Sequence, residues 1–247
     1  MDNLPLLLIT GASKGIGASV AKSAAGKYRL ALNFKNDSDS MNEVISIIHS
    51  KGGIANIYKT DISDEEQVKR MLENIYNDLG PVSHLVNNAA VLEKRADFLS
   101  ITNKRFEKIF ATNIYGTINC IRYAVPKMKE FPNEANRCII NVSSGAVKIG
   151  SPNDYIDYAM SKAAIETLTV GLSKELAPFN IRVNVVRPGF IDTNIHENKN
   201  QRLKEVLNKI PLKRIGKPNE VANGIMWLLS DEASYVTGSF LDIAGGK

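Results

Sequence analysis

The chain has few of the residues that build metal centres or disulfide frameworks. Its 247 residues include two cysteines and three histidines. Cys120 and Cys138 lack the spacing of a disulfide framework or a zinc site, and His49, His84 and His196 fall in different predicted elements. We therefore expect no metal centre, and a cytoplasmic protein whose thiols stay reduced.

Long apolar stretches are also missing. No segment approaches the roughly 20 apolar residues needed to span a bilayer. The N-terminus carries no basic region, and the apolar run from Leu6 to Ile9 is too short for a signal peptide. We expect a protein that neither crosses nor binds a membrane.

The charge is mildly basic and spread along the chain. Lys and Arg number 31 against 26 Asp and Glu, a formal net charge of +5. Because no run of basic residues concentrates this charge, a solvated surface is favoured over a nucleic-acid patch. A mild positive field would also favour a phosphorylated ligand.

Short apolar runs alternate with longer helical patterns along the chain, which predicts an α/β fold. We expect one doubly wound, Rossmann-like domain over residues 1–247, with a parallel sheet of about seven strands and helices on both faces. The predicted strands are Leu6–Thr10, Arg29–Phe34, Ile54–Lys59, Leu85–Asn87, Cys138–Val142, Ile181–Val186 and Ser239–Ile243. The predicted helices are Ile16–Ala25, Ser40–Ser50, Asp64–Asp78, Lys104–Lys129, Tyr155–Glu175 and Glu220–Leu229.

One segment departs from the alternation. Asp192–Lys213 is polar and rich in lysine, and it separates a strand from the next helix. Such excursions are often binding loops, so we expect a substrate lid at about residues 190–213, and a solvated surface helix is equally compatible.

A glycine-rich turn follows the first predicted strand. The segment Thr10–Gly17 holds Gly11, Gly15 and Gly17 and leads into a helix. Glycines there permit a tight turn and a close ligand, and the helix N-terminus offers N–H groups and partial positive charge to a pyrophosphate. The segment lacks the Gly-Lys-Ser/Thr ending of a P-loop, and a turn without a ligand is the alternative.

The end of the second predicted strand bears on the choice of cofactor. Its sequence Asn33-Phe34-Lys35-Asn36 lacks the acidic residue that would bind a ribose 2′-hydroxyl. Lys35 and Lys14 could instead attract a 2′-phosphate. We favour NADP(H) over NAD(H), which stays possible, since such lysines also occur on ordinary surfaces.

Tyr158 and Lys162 are four residues apart on a predicted helix, which places a phenol and an ammonium on one face. One positive charge at about 4 Å supplies roughly 4 kcal/mol at an effective dielectric constant of about 20. That is enough to bring a phenol pKa from about 10 to about 7, so we expect acid–base chemistry at Tyr158. A second copy of the spacing, Tyr123 and Lys127, is interrupted by Pro126 and interpreted as helix surface.

With these residues, the chain resembles a short-chain dehydrogenase/reductase over essentially its whole length. Within that family it is most similar to the branch of 3-oxoacyl-carrier-protein reductases and glucose dehydrogenases. The matching segments are Thr10–Gly17, Asp61-Ile62, Asn87–Ala90, Asn113, Ser143-Ser144, Tyr158–Lys162, Arg187–Gly189, Gly216–Val221 and Ser230–Gly238.

The resemblance implies catalytic roles for four residues. Tyr158 would exchange a proton with the substrate oxygen, and Lys162 would lower its pKa and hold the nicotinamide ribose. Ser144 would hydrogen-bond the developing oxyanion. Asn113 would pin a water in a proton relay that reaches Lys162.

The resemblance also implies a set of cofactor contacts from the glycine turn to the nicotinamide end. This set is Gly11, Ser13, Lys14, Gly15, Ile16, Gly17, Asn33, Phe34, Lys35, Asp61, Ile62, Asn88, Ala89, Ala90, Tyr158, Lys162, Pro188, Gly189, Ile191 and Thr193.

Two departures from the family pattern affect these assignments. Ala90 stands where the family usually has glycine, which slightly narrows the space near the cofactor. Ser144 lies one residue farther from Tyr158 than in the commonest arrangement, so Ser143 is a rival for the working serine. We prefer Ser144 because the family pattern places the working hydroxyl second after the strand.

These features predict an NADP(H)-dependent reductase or dehydrogenase of a small carbonyl or alcohol substrate, with no nucleic-acid partner. A catalytically idle dinucleotide-binding protein with a regulatory or scaffolding role is the alternative. By resemblance we expect a homo-oligomer, a tetramer or dimer built on long helices such as Lys104–Lys129. An acyl-carrier substrate would require a basic docking surface, for which the candidates are Lys94, Arg95, Lys199, Arg202 and Lys204.

Overall fold

Seven parallel strands form the centre of the molecule, in a computed structural model that describes residues 4–193 and 206–247. Their order across the sheet is β3-β2-β1-β4-β5-β6-β7, which confirms the expected doubly wound α/β fold. The strands are β1 Leu6–Ile9, β2 Arg29–Phe34, β3 Ala55–Lys59, β4 His84–Asn87, β5 Arg137–Val142, β6 Ile181–Pro188 and β7 Phe240–Ile243.

The helices connect these strands and cover both faces of the sheet. Their bounds are α1 Gly15–Ala24, α2 Ser38–Ser50, α3 Glu65–Leu79, α4 Asn103–Phe110, α5 Thr117–Met128, α6 Ala146–Ile149, α7 Ile156–Glu175 and α8 Pro218–Leu229. The N-termini of α3 and α4 carry the caps that their sequences indicate. Asp64 accepts a hydrogen bond from the Gln67 backbone, and Thr102 accepts one from the Arg105 backbone.

Strand β1 shows how the two cores are divided. Leu7 and Ile9 pack into the core on the face of α1, α2 and α8. Leu6 and Leu8 point the other way, into the core shared with α3 and α5. Successive side chains of a strand alternate between faces, so four apolar residues in a row supply both cores.

The long helix expected over Lys104–Lys129 is wrong in one respect. A π-helical turn, Ala111–Gly116, separates α4 from α5. At this turn the Asn113 side chain bonds the Val91 backbone, donating to its carbonyl and accepting from its N–H. These contacts to a neighbouring loop accompany the widened turn. Pro126 lies inside α5 without ending it.

The direction of chain progression reverses between β1 and β4, and this places the site. Loops that follow the strands on either side of such a switch point open a crevice at the carboxyl edge of the sheet. The turn after β1 and the segments after β4, β5 and β6 all reach this edge. Half of the expected lid at 190–213 lies outside the described residues, since residues 194–205 are not among them.

None of the helices in the described parts of the chain has the length and apolar composition that crossing a bilayer requires.

Candidate active site

A cleft of about 510 Å³ opens at the carboxyl edge of the sheet. It brings together segments that are far apart in the sequence, including nearly all the residues expected to contact cofactor or substrate. Those that line it are Gly11, Ser13, Lys14, Gly15, Ile16, Asn33, Phe34, Lys35, Asp61, Ile62, Asn88, Ala89, Ala90, Ser143, Ser144, Tyr158, Lys162, Pro188, Gly189, Ile191 and Thr193. Gly17 and Asn113 are not part of this lining, and they support it from behind.

The glycine turn needs its glycines. Gly11 has a φ of +63° and Gly15 a φ of +55°, conformations that other residues rarely adopt. A Cβ on Gly17 would lie 2.4 Å from the Gly11 carbonyl oxygen. Asn88 closes the turn by donating from its side-chain amide to the carbonyls of Thr10 and Gly11, at 3.0 and 3.1 Å.

This turn fits the pyrophosphate of a dinucleotide. Helix α1 begins at Gly15, directly at the cleft, and the N–H groups of a first helical turn have no partner within their own helix. Together with the helix dipole they favour a bound anion. Lys14, the N-cap residue, adds a positive charge at the same edge.

Both lysines expected at the adenosine end are already paired with a carboxylate. Lys14 forms an ion pair with Asp37, and the Lys35 ammonium lies 2.5 Å from Asp61. The hydrogen bond from Lys14 holds the pKa of Asp37 below its usual range. Sequence reasoning missed Asp37, although an aspartate just before a Ser-rich helix start is a signal for an N-cap, and it accepts from the Ser40 backbone.

Tyr158 and Ser144 meet at the other end of the cleft. Ser144 follows β5 and lines the cleft together with Tyr158, and its hydroxyl acts to lower the pKa of the Tyr158 phenol. Its Oγ also accepts from the Ala146 backbone at 3.1 Å. Lys162, one turn along α7, is buried and donates from Nζ to the Val142 carbonyl at 2.8 Å.

The expected lowering of the Tyr158 pKa is wrong for this structure. Burial raises the pKa of Tyr158 to about 12, against a smaller lowering by the Ser144 hydrogen bond. Burial also lowers the pKa of Lys162 to about 8. The Lys162 ammonium is 5.7 Å from the centre of the Tyr158 ring and bonds a carbonyl. Loss of hydration therefore outweighs the charge interaction that the spacing predicts.

Asn113 belongs to a network behind the cleft. Its fully buried side chain bonds the Val91 backbone and donates to Ser161 Oγ at 3.0 Å. Ser161 in turn donates to the Tyr158 carbonyl at 2.7 Å. The π-helical turn is thereby attached to the first turns of α7, which carry the phenol.

The two neighbouring serines have different partners. The Ser143 hydroxyl is buried and donates to Glu166 Oε1 at 2.6 Å. Both serines line the cleft, and it is the Ser144 hydroxyl that lowers the pKa of the Tyr158 phenol. Of the two rivals, the structure brings Ser144 to the phenol.

Sequence reasoning missed two buried ion pairs around α7. Asp157 pairs with Arg105 through two hydrogen bonds of 2.6 and 3.1 Å. Glu166 pairs with Arg187 through bonds of 2.7 and 2.6 Å. A carboxylate four residues after Lys162, on a helix face that packs on the sheet, was a signal that could have found Glu166.

The expected docking surface for an acyl carrier falls mainly outside the described residues, where Lys199, Arg202 and Lys204 lie. Of its other members, Arg95 pairs with Asp154 at 3.0 Å, and the Lys94 carbonyl accepts from Arg105. Within residues 4–193 and 206–247, no three His, Cys, Asp or Glu side chains are grouped as metal ligands would be.

A family model described as enoyl-(acyl carrier protein) reductase matches residues 11–247. The chain belongs to the short-chain dehydrogenase/reductase family. It is 44% identical to the uncharacterized oxidoreductase YgfF of Escherichia coli over 99% of this chain and 100% of that protein. It is 35% identical to the 3-oxoacyl-[acyl-carrier-protein] reductase FabG of Thermotoga maritima, over 97% and 96% of the two chains. These relatives place it in the 3-oxoacyl-carrier-protein reductase-like branch, and it is an oxidoreductase of this family.

Solved structures of the family superpose over nearly the whole chain. A short-chain dehydrogenase/reductase from Mycobacterium marinum has a TM-score of 0.91 and 34% identity, covering 98% of this chain and 94% of the other. A blue fluorescent protein from a metagenomic library, solved in complex with NADPH, has a TM-score of 0.90 and 28% identity, with 98% and 97% covered.

Proposed function

We propose that this short-chain dehydrogenase/reductase uses NADP(H) to reduce a carbonyl group or oxidise a secondary alcohol, with Tyr158 as the proton donor and acceptor. One observation carries the proposal. Tyr158, Ser144 and Lys162 line the same cleft as the glycine turn at the N-terminus of α1. A proton source and an anion cradle in one cleft suit a reaction between a dinucleotide and a polar substrate.

The residues of the cleft fit a nicotinamide dinucleotide. The turn from Gly11 to Gly17 and the first N–H groups of α1 would hold the pyrophosphate. Asn33 and Asp61 would lie at the adenosine end, and Pro188 to Thr193 at the nicotinamide end. When bound, the nicotinamide supplies or accepts the hydride.

The chain's own residues would handle the proton. With a pKa of about 12, the Tyr158 phenol keeps its proton near neutral pH, which suits protonation of a carbonyl oxygen during reduction. Ser144 would donate a hydrogen bond to the same oxygen as negative charge develops on it. Lys162 would stabilise the phenolate that remains, and Asn113 would act from behind the cleft, through Ser161 and the turn of α7 that carries the phenol.

NADP(H) is the cofactor we favour, for two reasons. Lys14 and Lys35 line the adenosine end of the cleft, where a 2′-phosphate could replace a carboxylate as their partner. The metagenomic relative was solved in complex with NADPH. NAD(H) is the alternative, and the relative dissociation constants of NADPH and NADH distinguish the two.

Substitution of Tyr158 by phenylalanine tests the mechanism. Tyr158→Phe keeps the ring and removes the proton, so we expect turnover to fall by about 100-fold or more with NADPH binding retained. The assay follows the loss of NADPH absorbance with a panel of ketones, sugars and acyl thioesters. Tyr123→Phe is the matched control, because Tyr123 has the same spacing to a lysine but lies on the surface, bonded to Glu65.

Two results would contradict the proposal. Full turnover by Tyr158→Phe would show that another group moves the proton. Tight NADPH binding without turnover of any panel member would favour an idle dinucleotide-binding protein with a regulatory or scaffolding role.

We further propose a homo-oligomer, a tetramer or dimer, that acts in the cytoplasm. Cys120 and Cys138 are both buried and free, as expected of a reducing compartment. Large exposed apolar side chains support association, among them Leu99, Tyr115, Trp227 and Tyr235.

A further inference from the structure

Glu166 is a buried carboxylate on α7, one turn after Lys162. It accepts three hydrogen bonds from the ends of two neighbouring strands. Ser143 donates to Oε1 at 2.6 Å, Arg187 Nε donates to Oε1 at 2.7 Å, and a second Arg187 nitrogen donates to Oε2 at 2.6 Å. Glu166 thereby joins α7 to the carboxyl ends of β5 and β6.

Two successive turns of α7 hold the last residue of β5 and the residue that follows it. Lys162 donates to the Val142 carbonyl, and Glu166 accepts from the Ser143 hydroxyl. The next residue along the chain is Ser144, whose hydroxyl meets Tyr158. Glu166 holds the buried Ser143 hydroxyl. This contact fixes the direction of the backbone at the next residue, so that Ser144 lies in the cleft with Tyr158.

Arg187 extends the network towards the wall of the cleft. Its guanidinium lies 4.3 Å from the centre of the Phe240 ring and 3.8 Å from Asp242. Asp242 accepts from Lys148 on α6 at 2.6 Å. Helix α6 contributes side chains to the cleft. Glu166 is therefore linked to this wall of the cleft through Arg187, Asp242 and Lys148.

An ion pair at this place does little for stability. The side chains of Glu166 and Arg187 are only 9% and 17% exposed. Removing two such charges from water costs about as much as their attraction returns, and apolar residues of similar volume often do as well. A two-bond contact between guanidinium and carboxylate does, however, fix distance and direction. This geometry suits a role in positioning.

We propose that Glu166 is a positioning residue, which holds the Ser144 hydroxyl against Tyr158 through its bonds to Ser143 and Arg187. The inference rests on the proposed function, because it assigns Ser144 and Tyr158 to the reacting centre. Glu166 itself acts through these neighbours.

The direct test is the carbon resonance of the Tyr158 ring carbon that bears the hydroxyl, measured by NMR at neutral pH. The signal is assigned by its loss in Tyr158→Phe. In Glu166→Gln we expect it to shift in the same direction as in Ser144→Ala, because both substitutions release the phenol from its serine partner. The double variant should shift it no further than Ser144→Ala alone.

Glu65→Gln is the matched control. Glu65 also accepts from an arginine and a hydroxyl, Arg122 and Tyr123, both at 2.9 Å, but this cluster is exposed and far along the chain from the cleft. We expect Glu65→Gln to leave the Tyr158 signal in place. If Glu166→Gln does not fold, Ser143→Ala removes the same contact to β5 with a smaller change.

Kinetics provide a second measurement. With a ketone that the wild type reduces, kcat of Glu166→Gln should fall about 10-fold while the dissociation constant of NADPH stays within about 2-fold. An unchanged Tyr158 resonance in both folded variants would overturn the inference. Full turnover by Tyr158→Phe would overturn the proposed function. The resonance test measures only the surroundings of the Tyr158 phenol, so the two results can be told apart.

Discussion

Asp37 has two partners at the adenosine end of the cleft. It caps α2 by accepting from the Ser40 backbone, and it pairs with Lys14. A carboxylate in this position keeps the lysine occupied and repels an incoming phosphate. At the scale of the single residue, we therefore expect the choice between the two proposed cofactors to depend on Asp37 as much as on the lysines around it.

Asp37→Asn should strengthen NADPH binding relative to NADH by about 2- to 5-fold. Asparagine still caps the helix, since its side-chain oxygen accepts the same bond. It frees Lys14 for a 2′-phosphate and removes a negative charge. Titration of each cofactor, followed by nicotinamide fluorescence, measures the two dissociation constants.

Asp64→Asn is the control for that experiment. Asp64 caps α3 in the same way, with its side chain accepting from Gln67, and it does not line the cleft. We expect its ratio of dissociation constants to equal that of the wild type. If the ratio of the NADPH and NADH dissociation constants of Asp37→Asn also equalled that of the wild type, the ion pair with Lys14 would have no part in the choice of cofactor.

Side-chain partners of this kind were the least predictable part of the site. Sequence spacing put Tyr158 and Lys162 on one helix face, and the family resemblance added Ser144; all three line one cleft in the structure. Spacing cannot show burial, and burial raises the Tyr158 pKa where the charge of Lys162 alone would lower it. The pairing of Asp37 with Lys14 depends on two loops that meet only in the fold.

At the scale of the element, the π-helical turn Ala111–Gly116 is the main difference between the predicted and the observed helices. Apolar periodicity continues through residues 104–129, so a single helix was the natural prediction. The wider turn accompanies contacts outside the helix: Asn113 bonds to Val91, and Gly116 packs closely on Ile62. Every predicted strand was found within about two residues of its bounds, since β-branched and apolar runs between helices are a strong signal.

Gly116→Ala should destabilise the protein by about 1–3 kcal/mol. A Cβ at this position would lie 2.7 Å from two side-chain carbons of Ile62, so one of the two elements must move. Urea denaturation followed by circular dichroism gives the change in the free energy of unfolding.

Gly171→Ala is the comparison within α7. Among the described residues nothing lies within 4 Å of a Cβ built on Gly171. Alanine there should leave stability unchanged or raise it by up to about 1 kcal/mol, through helix propensity. If Gly116→Ala and Gly171→Ala changed the free energy of unfolding equally, the close packing of Gly116 on Ile62 would not be the cause of the lost stability.

At the scale of the whole molecule, sheet order and strand direction bring the segments that follow β1 to β6 to one edge. The alternation of strands and helices predicted this arrangement, because parallel strands need crossover helices and their loops then return to the same edge. The cost is that charged and polar groups become buried there, with Lys162 only 2% exposed. Global stability must then depend on pH.

Lys162 should contribute a rise in the free energy of unfolding between pH 8 and 10, opposite in sign to the fall contributed by Cys120 and Cys138, because burial raises the pKa of each of these thiols to about 12. Burial lowers the pKa of Lys162 to about 8 in the folded protein, from 10.5 when unfolded. The unfolded chain therefore binds more protons in this window, and deprotonation favours the folded state. The expected contribution is about 2 kcal/mol, from the shift at about 1.4 kcal/mol per pH unit.

Lys162→Met isolates this contribution, because methionine has a similar shape and does not titrate. Urea denaturation of wild type and variant at several pH values should give two curves whose difference grows from pH 8 to 10. Parallel curves would mean that the buried ammonium keeps its ordinary pKa.

Tyr158, Lys162 and Glu166 lie on consecutive turns of α7, and the cofactor turn lies on a different element. The segments that line the cleft beside this helix, residues 146–155 and 190–193, can therefore vary in composition without displacing the proposed proton donor. Mutations that reshape them would alter which molecules are accepted while the chemistry is retained. Such a separation makes the fold a ready starting point for new substrate preferences, whether reached by natural divergence or by laboratory selection.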